Sequence, residues 1–182
     1  MNESRPVVHL KVAQDADALR LQYEVRNTLR EPIYVFDRLY DMRAQKLSAA
    51  WAYVAVDGQK ATVSRQVWPL PNGLRYENPE TPYGRLLTPN ATATGQLSLT
   101  MPIAERDPYY SLSHRGEKPQ TVQVSSLVFR MGWGFASQLH AGSPVELEGQ
   151  RLVLFPFHEG LAKQQFADSE SAQVNLAITV LR

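Results

Sequence analysis

Residues 19–25, "LRLQYEV", alternate apolar and polar side chains without exception. In an extended chain Leu19, Leu21, Tyr23 and Val25 lie on one side, and the polar residues between them lie on the other. A period of two is typical of a β-strand with one buried and one solvated face. The stretch therefore predicts a sheet that packs one face on a hydrophobic core.

The same alternation recurs in later parts of the chain. Residues 95–103 ("GQLSLTMPI") and 173–181 ("QVNLAITVL") follow it closely, and residues 121–129 ("TVQVSSLVF") follow it with one change of parity. The change falls at Ser125 and Ser126, where one extra residue in a strand would shift the pattern. We therefore expect a β-bulge at these two serines.

Glycine and proline separate the predicted strands. Asp57-Gly58 lies between two β-rich segments and predicts a hairpin, because both residues tolerate positive φ. Gly149-Gln150 predicts a second hairpin in the same way. Residues 69–89 carry five of the twelve prolines, so we expect a long Pro/Gly-rich loop at about 69–89. Helical patterns are short, at residues 37–51 and 158–168.

Residues 25–35 resemble a stretch found in many immunoglobulin-like modules. Val25 and Asn27 end one predicted strand, a short polar gap follows, and Pro32 to Val35 begin the next strand as "PIYV". The resemblance implies that the chain crosses here from one sheet of a sandwich to the other. It carries no functional residue over, and the cysteine pair of antibody domains is absent.

These patterns together predict an all-β protein, a single antiparallel β-sandwich domain over residues 1–182. We expect it to be immunoglobulin-like or related, with about nine or ten strands and little helix. The predicted core consists of the apolar residues on the inner side of each strand: Leu19, Leu21, Tyr23, Val25, Ile33, Val35, Val54, Val56, Leu97, Leu99, Val122, Val124, Phe129, Leu152, Leu154, Val174, Leu176, Ile178 and Val180.

Composition and charge argue against several classes of protein. Hydrophobic residues make up 43% of the chain, and 19 basic residues face 18 acidic ones, so we expect a soluble globular protein that binds no nucleic acid. No apolar run reaches the length of a membrane span. Cysteine is absent, which excludes disulfides and thiolate metal sites. Without a visible signal peptide we expect a cytoplasmic protein, or a periplasmic or secreted one if a leader has been removed.

Catalytic and metal-binding motifs are missing from the sequence. The four histidines, His9, His114, His140 and His158, are widely separated, and we expect no metal site and no cofactor. The Asp37 to Asp41 spacing lacks the further ligands that calcium needs, so we expect these residues to end a strand and turn the chain. No catalytic residue is assigned.

Two further groupings look like catalytic or phosphate-binding motifs without meeting their requirements. Ser113 precedes His114, but a catalytic triad is an arrangement in space and needs a third, orienting group. Gly132 and Gly134 flank Trp133, but no third glycine or Gly-Lys pair follows. We expect these two glycines to let the chain bend around Trp133.

Aromatic residues in predicted loops and strand ends are the candidates for binding. Tyr109, Tyr110 and Trp133 are the predicted contacts with a ligand or partner, because flat rings bury much area at a small entropy cost. Phe135, Tyr76 and Tyr83 lie in similar places. The alternative is that these rings close the ends of the hydrophobic core.

The function expected from these observations is a non-enzymatic binding or protein-interaction module, with a protein or carbohydrate partner. The alternative is a hydrolase whose carboxylates or histidines meet only in the fold. A deep cleft with acids of shifted pKa would favour it. A third hypothesis is a homodimer formed through an edge strand, for which residues 171–182 are the best candidate because they contain no proline and no interior charge.

Overall fold

The structure is a computed structural model, and it describes residues 4–41, 45–48, 51–73, 79–80 and 82–182. For Asp41, Ser111 and Leu112 it describes the backbone only. Strands make up 58% of the structure and helices 5%. The expected all-β fold with antiparallel sheets is confirmed, whereas the immunoglobulin-like type and the single domain stay predictions.

Fifteen strands and two short helices are present in the described residues, more strands than the nine or ten expected from the sequence. Three of the strands have only two residues, which accounts for part of the difference. In chain order they are β1 (Val7–Gln14), β2 (Ala18–Arg26), β3 (Ile33–Arg38), β4 (Tyr40–Asp41), β5 (Lys46–Leu47), β6 (Tyr53–Asp57), β7 (Lys60–Arg65), β8 (Tyr83–Leu87), β9 (Thr92–Thr100), β10 (Ile103–Ala104), α1 (Tyr110–Ser113), β11 (Pro119–Phe135), β12 (Ser143–Leu147), β13 (Gln150–Leu154), α2 (Phe157–Lys163), β14 (Gln165–Asp168) and β15 (Ala172–Leu181).

The first sheet has three antiparallel strands in the order β1-β2-β9. Leu19, Leu21, Tyr23 and Val25 are all buried on its inner face, as the alternation predicted. The polar residues between them in β2 are exposed. Tyr23 lies directly opposite Gly95 in β9, where no side chain competes with the tyrosine ring for space.

The second sheet has ten strands and is organised around β11, the longest strand. β11 pairs antiparallel with β3, β14 and β15 and parallel with β7. The register between β11 and β15 shifts between Val124 and Ser126, which confirms the predicted bulge. The pairs β7–β11 and β10–β15 are parallel, so the sheet is not purely antiparallel.

The inner faces of the two sheets form the main hydrophobic core. The rings of Tyr23 from the first sheet and Phe129 from the second stack with centroids 4.7 Å apart. Most predicted core residues are buried here, and Val122 and Val174 lie partly buried at its margin. Leu154 was predicted wrongly: it is 36% exposed at the end of β13, although it pairs with Ser143 of β12 and Tyr83 of β8.

A second hydrophobic cluster lies on the other face of the large sheet. Val35 belongs to the main core and the adjacent Phe36 to this cluster, because successive residues of a strand point to opposite faces. Helix α2 covers the cluster with Phe157. The sequence analysis missed it, although residues 158–168 were expected to hold a short helix. Its buried members are Phe36, Val67, Leu139, Phe155 and Phe157.

The connections agree with the sequence in part. Asp57 pairs with Lys60 across a turn in which Gly58 has φ +56°, so the first predicted hairpin is confirmed. The second hairpin joins β12 to β13. Within the loop expected at residues 69–89, Tyr83–Leu87 form β8, a strand between β3 and β13.

The C-terminal strand β15 has a neighbour on both sides for only part of its length. β11 pairs with it along one side, and β10 pairs with it on the other at Ile178 and Thr179. The hypothesis of an edge at residues 171–182 therefore applies to the part before Ile178, and dimer formation through it stays a prediction. None of the helices in the described ranges is long and apolar enough to cross a membrane.

Candidate functional site

The three aromatic residues predicted as contacts differ in exposure. Tyr109 is 2% exposed and Trp133 is 0% exposed, whereas Tyr110 is half-buried. Trp133 meets Phe135 edge-on with ring centroids 5.2 Å apart. The positions of Tyr109 and Trp133 fit the alternative that their rings belong to the core. A binding role for the three residues stays a prediction, and Tyr76 lies outside the described residues.

Tyr110 connects the loop after β10 to the C-terminal strand. Its hydroxyl donates to Glu105 Oε2 and accepts from the backbone N–H of Leu181, each at 2.8 Å. Glu105 also accepts from Arg182 at 2.8 Å and from the Val56 N–H at 2.8 Å. Burial works against the ionised carboxyl, but these donors together lower the pKa of Glu105. The hydroxyl thus has a structural role.

Replacing Glu105 by glutamine is expected to lower the free energy of unfolding near neutral pH by about 1–2 kcal/mol. Because the folded-state pKa is lowered, the carboxylate stabilises the fold above its unfolded pKa of about 4.3. That contribution disappears as the pH falls through the lower folded value. Urea unfolding of both proteins at neutral and acidic pH measures it. If the two proteins differ in free energy of unfolding by the same amount at both pH values, the stabilisation does not come from the charge of Glu105.

Asp37 is buried in β3 among charged partners. Its Oδ2 accepts a hydrogen bond from the Tyr23 hydroxyl at 3.2 Å and lies 3.1 Å from Arg38 Nη1. Arg85 forms a second ion pair with the same oxygen. Asp37 does lie near the end of β3, as expected, but it does more than turn the chain, because a carboxylate buried in this way requires charged partners. The side chain of Asp41 lies outside the described residues.

Arg65 completes this buried ion cluster, which consists of Tyr23, Asp37, Arg38, Arg65 and Arg85. Arg65 is buried at the end of β7 and donates to the backbone carbonyls of Asp37, Ser48 (2.8 Å) and Trp51 (3.1 Å). The guanidinium groups of Arg38 and Arg85 thus pair with the Asp37 carboxylate, and that of Arg65 binds the Asp37 backbone carbonyl. The cluster joins β2, β3, β7 and β8 and fixes the chain at residue 51.

The remaining sequence motifs do not assemble into a catalytic centre. His9, His140 and His158 are exposed, and His114 lies against the Tyr110 carbonyl with Nδ1 3.1 Å from the oxygen. Among the described residues no group of three or more His, Asp or Glu side chains is arranged to hold a metal ion.

The two glycines around Trp133 have a packing role. Gly132 and Gly134 lie within strand β11, so the chain does not bend there as expected. A Cβ atom on Gly132 would come within 3.0 Å of the Gln66 Cα, and one on Gly134 within 2.9 Å of Leu139 Cδ1. These contacts are too close for a side chain, so glycine permits the approach of the neighbouring segments.

Two depressions in the surface differ in size and in the burial of the residues that line them. The larger one, about 590 Å³, lies on the solvated face of the first sheet beside exposed His9, Lys11 and Glu24. The smaller one has a volume of about 120 Å³ and is lined by buried as well as exposed groups. We call it the Trp51 pocket, and its walls include Trp51, Tyr53, Glu80, Arg106, Asp107 and Pro108.

Three segments build the Trp51 pocket. Tyr53 is the first residue of β6 and Trp51 lies two residues before it, Glu80 lies between β7 and β8, and residues 106–108 follow β10. Two backbone hydrogen bonds of 2.8 Å between Val54 and Arg106 join the first segment to the third. Arg106 Nε also donates to the Ala52 carbonyl at 2.8 Å. The walls of the pocket are therefore fixed by the backbone.

The polar atoms of the Trp51 pocket are incompletely satisfied. Tyr53 is 3% exposed, and its hydroxyl and the Glu80 carboxyl face each other, although among the described residues the Tyr53 hydroxyl and Glu80 Oε1 lack good hydrogen-bond geometry. Burial raises the pKa of Tyr53 well above its ordinary value, and the facing Glu80 carboxyl raises it further. Burial also raises the pKa of Glu80. A ligand that supplies hydrogen-bond donors would satisfy both groups.

Asp107 is the second acid in the pocket. Burial raises its pKa, although the hydrogen bond of 2.6 Å from the Tyr109 N–H to Oδ1 favours the ionised form. Across the pocket, burial lowers the pKa of the Arg106 guanidinium. The pocket therefore brings together two carboxyl groups, one guanidinium and two aromatic rings in a partly desolvated space.

This site was not predicted from the sequence. The predicted contact nearest to it was Tyr109, whose backbone N–H donates to Asp107. Residues 37–51, which include Trp51, were expected to form a short helix or an irregular crossover. The sequence does contain a tryptophan beside a predicted strand, in "AAWAY", and an acid-rich turn beside another, in "ERDPYY". Nothing in the sequence indicates that these two stretches are neighbours. The bridge between Val54 and Arg106 brings them together in the fold.

The comparisons with known proteins found no relative. No protein-family model matches the chain, and it matches no curated protein and no solved structure.

Proposed function

We propose that this protein is a non-enzymatic binding module that recognises its ligand at the Trp51 pocket. The observation that carries this proposal is the 42% exposed side chain of Trp51 beside the buried hydroxyl of Tyr53, whose contact with Glu80 lacks good hydrogen-bond geometry. A buried polar group in poor hydrogen-bond geometry is incompletely stabilised, and a complementary ligand can complete its hydrogen bonds. A large exposed indole next to such a group supports recognition at this point of the surface.

The size of the pocket supports recognition of a small group. Pockets for drug-sized ligands have volumes of about 300–1,000 Å³, whereas the Trp51 pocket has about 120 Å³. The proposed partner, a protein or a carbohydrate, would therefore insert one side chain or substituent and contact the surrounding surface with the rest. The proposal also includes an immunoglobulin-like type of sandwich, because the ends of such a sandwich present loops for binding. It further includes a cytoplasmic location.

Fluorine NMR of the protein labelled with 5-fluorotryptophan tests the proposal. The chain has three tryptophans, Trp51, Trp68 and Trp133, and replacement of each by phenylalanine assigns its resonance. Small cationic, anionic and neutral fragments are titrated in turn. We expect at least one chemical class to shift the Trp51 resonance in a saturable manner. The Trp133 resonance should stay in place because this ring is buried.

In the variant Trp51→Ala, binding is followed by the fluorine resonance of Trp68, whose ring meets that of Tyr53 edge-on with centroids 5.2 Å apart. We expect the saturable shift of this resonance to be abolished in the variant. Leu86→Ala is the matched control, because Leu86 is also a large exposed apolar residue but lies in β8. It should leave binding unchanged. If no fragment of any class shifts the Trp51 resonance, the proposal fails.

The second candidate function is a hydrolase, and one observation favours it. Glu80 and Asp107 both line the Trp51 pocket, and both carboxyls have a raised pKa. A raised pKa is what a general acid needs near neutral pH. Chromogenic esters and glycosides test this candidate. If the unmodified protein hydrolyses one of these substrates and both Glu80→Gln and Asp107→Asn lose that activity, the protein is a hydrolase and not a binding module. If the unmodified protein hydrolyses none of them, the hydrolase candidate is excluded.

A further inference from the structure

We infer that the group recognised by the Trp51 pocket is a small organic cation, namely an alkylammonium group. This inference rests on the proposed function and names the chemistry of its ligand. It follows from the charge, the aromatic lining and the volume of the pocket.

The charge of the pocket favours a cation. Two carboxyl groups, from Glu80 and Asp107, face one guanidinium, from Arg106. The guanidinium already donates through Nε to the carbonyl of Ala52. Glu80 Oε1, in contrast, is buried, and the Glu80 carboxyl faces only the neutral hydroxyl of Tyr53 among the described residues that its pKa reflects, without good hydrogen-bond geometry at Oε1. An ammonium N–H group or a methylated ammonium would bring positive charge to this oxygen, and a charge-assisted contact is stronger than a neutral one.

The aromatic walls favour the same kind of ligand. Ring faces attract cations within about 6 Å, and tryptophan is the strongest of the three aromatic side chains in this respect. Trp51 and Tyr53 both line the pocket. The edge-on contact with Trp68 holds the ring of Tyr53 in place, and Pro108 adds an apolar wall. Aromatic rings together with carboxylates form the usual environment of bound quaternary ammonium groups.

The remaining classes of ligand fit less well. An anion would place its charge against Glu80 and Asp107, and like charges in a partly desolvated pocket repel strongly. A neutral apolar group would add no hydrogen bond to the Tyr53 hydroxyl or to Glu80 Oε1, whose mutual geometry is poor. A pocket of about 120 Å³ admits the end of an alkylammonium chain and excludes most larger cations.

The experiment compares cations with neutral molecules of matched shape. Tetramethylammonium is paired with tert-butanol, and n-butylammonium, which resembles a lysine side chain, is paired with n-butanol. Acetate serves as the anion. The Trp51 fluorine resonance of the full chain reports binding. We expect both cations to bind with dissociation constants of about 1 mM, and at least about tenfold more tightly than their neutral counterparts.

Two variants test the role of charge and one serves as a control. Glu80→Gln and Asp107→Asn keep the shape of each side chain and should weaken binding of both cations by about tenfold, with no effect on tert-butanol. Asp15→Asn is the matched control, because it removes an exposed carboxylate that is paired with Arg20 outside the pocket. It should leave binding of both cations unchanged. The comparison of tetramethylammonium with n-butylammonium separates a methylated ammonium from a lysine-like one.

The outcomes separate this inference from the proposed function. Tighter binding of the cations that depends on Glu80 supports the inference. If tert-butanol binds as tightly as tetramethylammonium, or acetate binds more tightly, the inference is overturned while a binding pocket remains. If none of the five probes shifts the Trp51 resonance but another fragment class does, the ammonium assignment alone is lost. If nothing binds there, both proposals fail.

Discussion

Replacing Asp37 by asparagine is expected to lower the free energy of unfolding by about 3–5 kcal/mol. The variant keeps the shape of the side chain but leaves Arg38 and Arg85 without the carboxylate that pairs with them, next to the buried guanidinium of Arg65 on the Asp37 backbone carbonyl. Removal of one partner from a buried ion cluster leaves uncompensated charge in a poorly solvated place. Urea unfolding followed by circular dichroism measures the loss.

The exposed pair between Arg20 and Asp15 provides the control for this prediction. Both side chains are largely solvated, so Asp15→Asn should change the free energy of unfolding by less than about 1 kcal/mol. Equal effects of Asp37→Asn and Asp15→Asn would show that the buried cluster contributes little. In that case the burial of Asp37 would need an explanation other than stability.

Replacing Trp133 by alanine is expected to destabilise the protein by about 3–5 kcal/mol, because it leaves a large cavity next to Phe135 in β11. This result would assign Trp133 to the core instead of a contact surface. The same chemical and thermal unfolding measurements apply. A variant that unfolds like the unmodified protein but loses a ligand would restore the contact role predicted from the sequence.

Trp51→Ala makes the matched comparison, since the same side chain is removed from a partly exposed position. We expect a loss of less than about 1 kcal/mol. The pair of variants therefore separates the tryptophan that holds the core together from the tryptophan that is available for binding. If both variants lose the same stability, the exposed position of Trp51 does not decide its role.

The fold class could be predicted because one chemical signal decides it. Alternation in residues 19–25 fixes which side of β2 is buried, and it holds for every one of these residues. The bulge and the Asp57-Gly58 hairpin were also predictable, since a change of parity and a turn dipeptide are local features. These features depend on neighbours in the sequence alone.

The candidate site could not be predicted because it depends on pairings between distant residues. Nothing local to Asp37 indicates that Arg65 and Arg85 lie beside it, since they come from other strands. Leu154 obeys the same alternation as Leu152 and yet is exposed, because parity gives the face of a strand and not how far along that face other elements cover it. The tryptophans illustrate the same limit: one of them is buried and another forms the wall of a pocket.

The hydrogen bond from Arg65 Nε to the Trp51 carbonyl connects the buried ion cluster to the wall of the pocket. The backbone that carries the indole is therefore in place before any partner arrives. Ordering of this segment belongs to the folding reaction, so it does not subtract from the affinity of a later complex. Such preorganisation implies rigid docking with little change of shape, and differences among ligands would then appear mainly in how slowly each one dissociates.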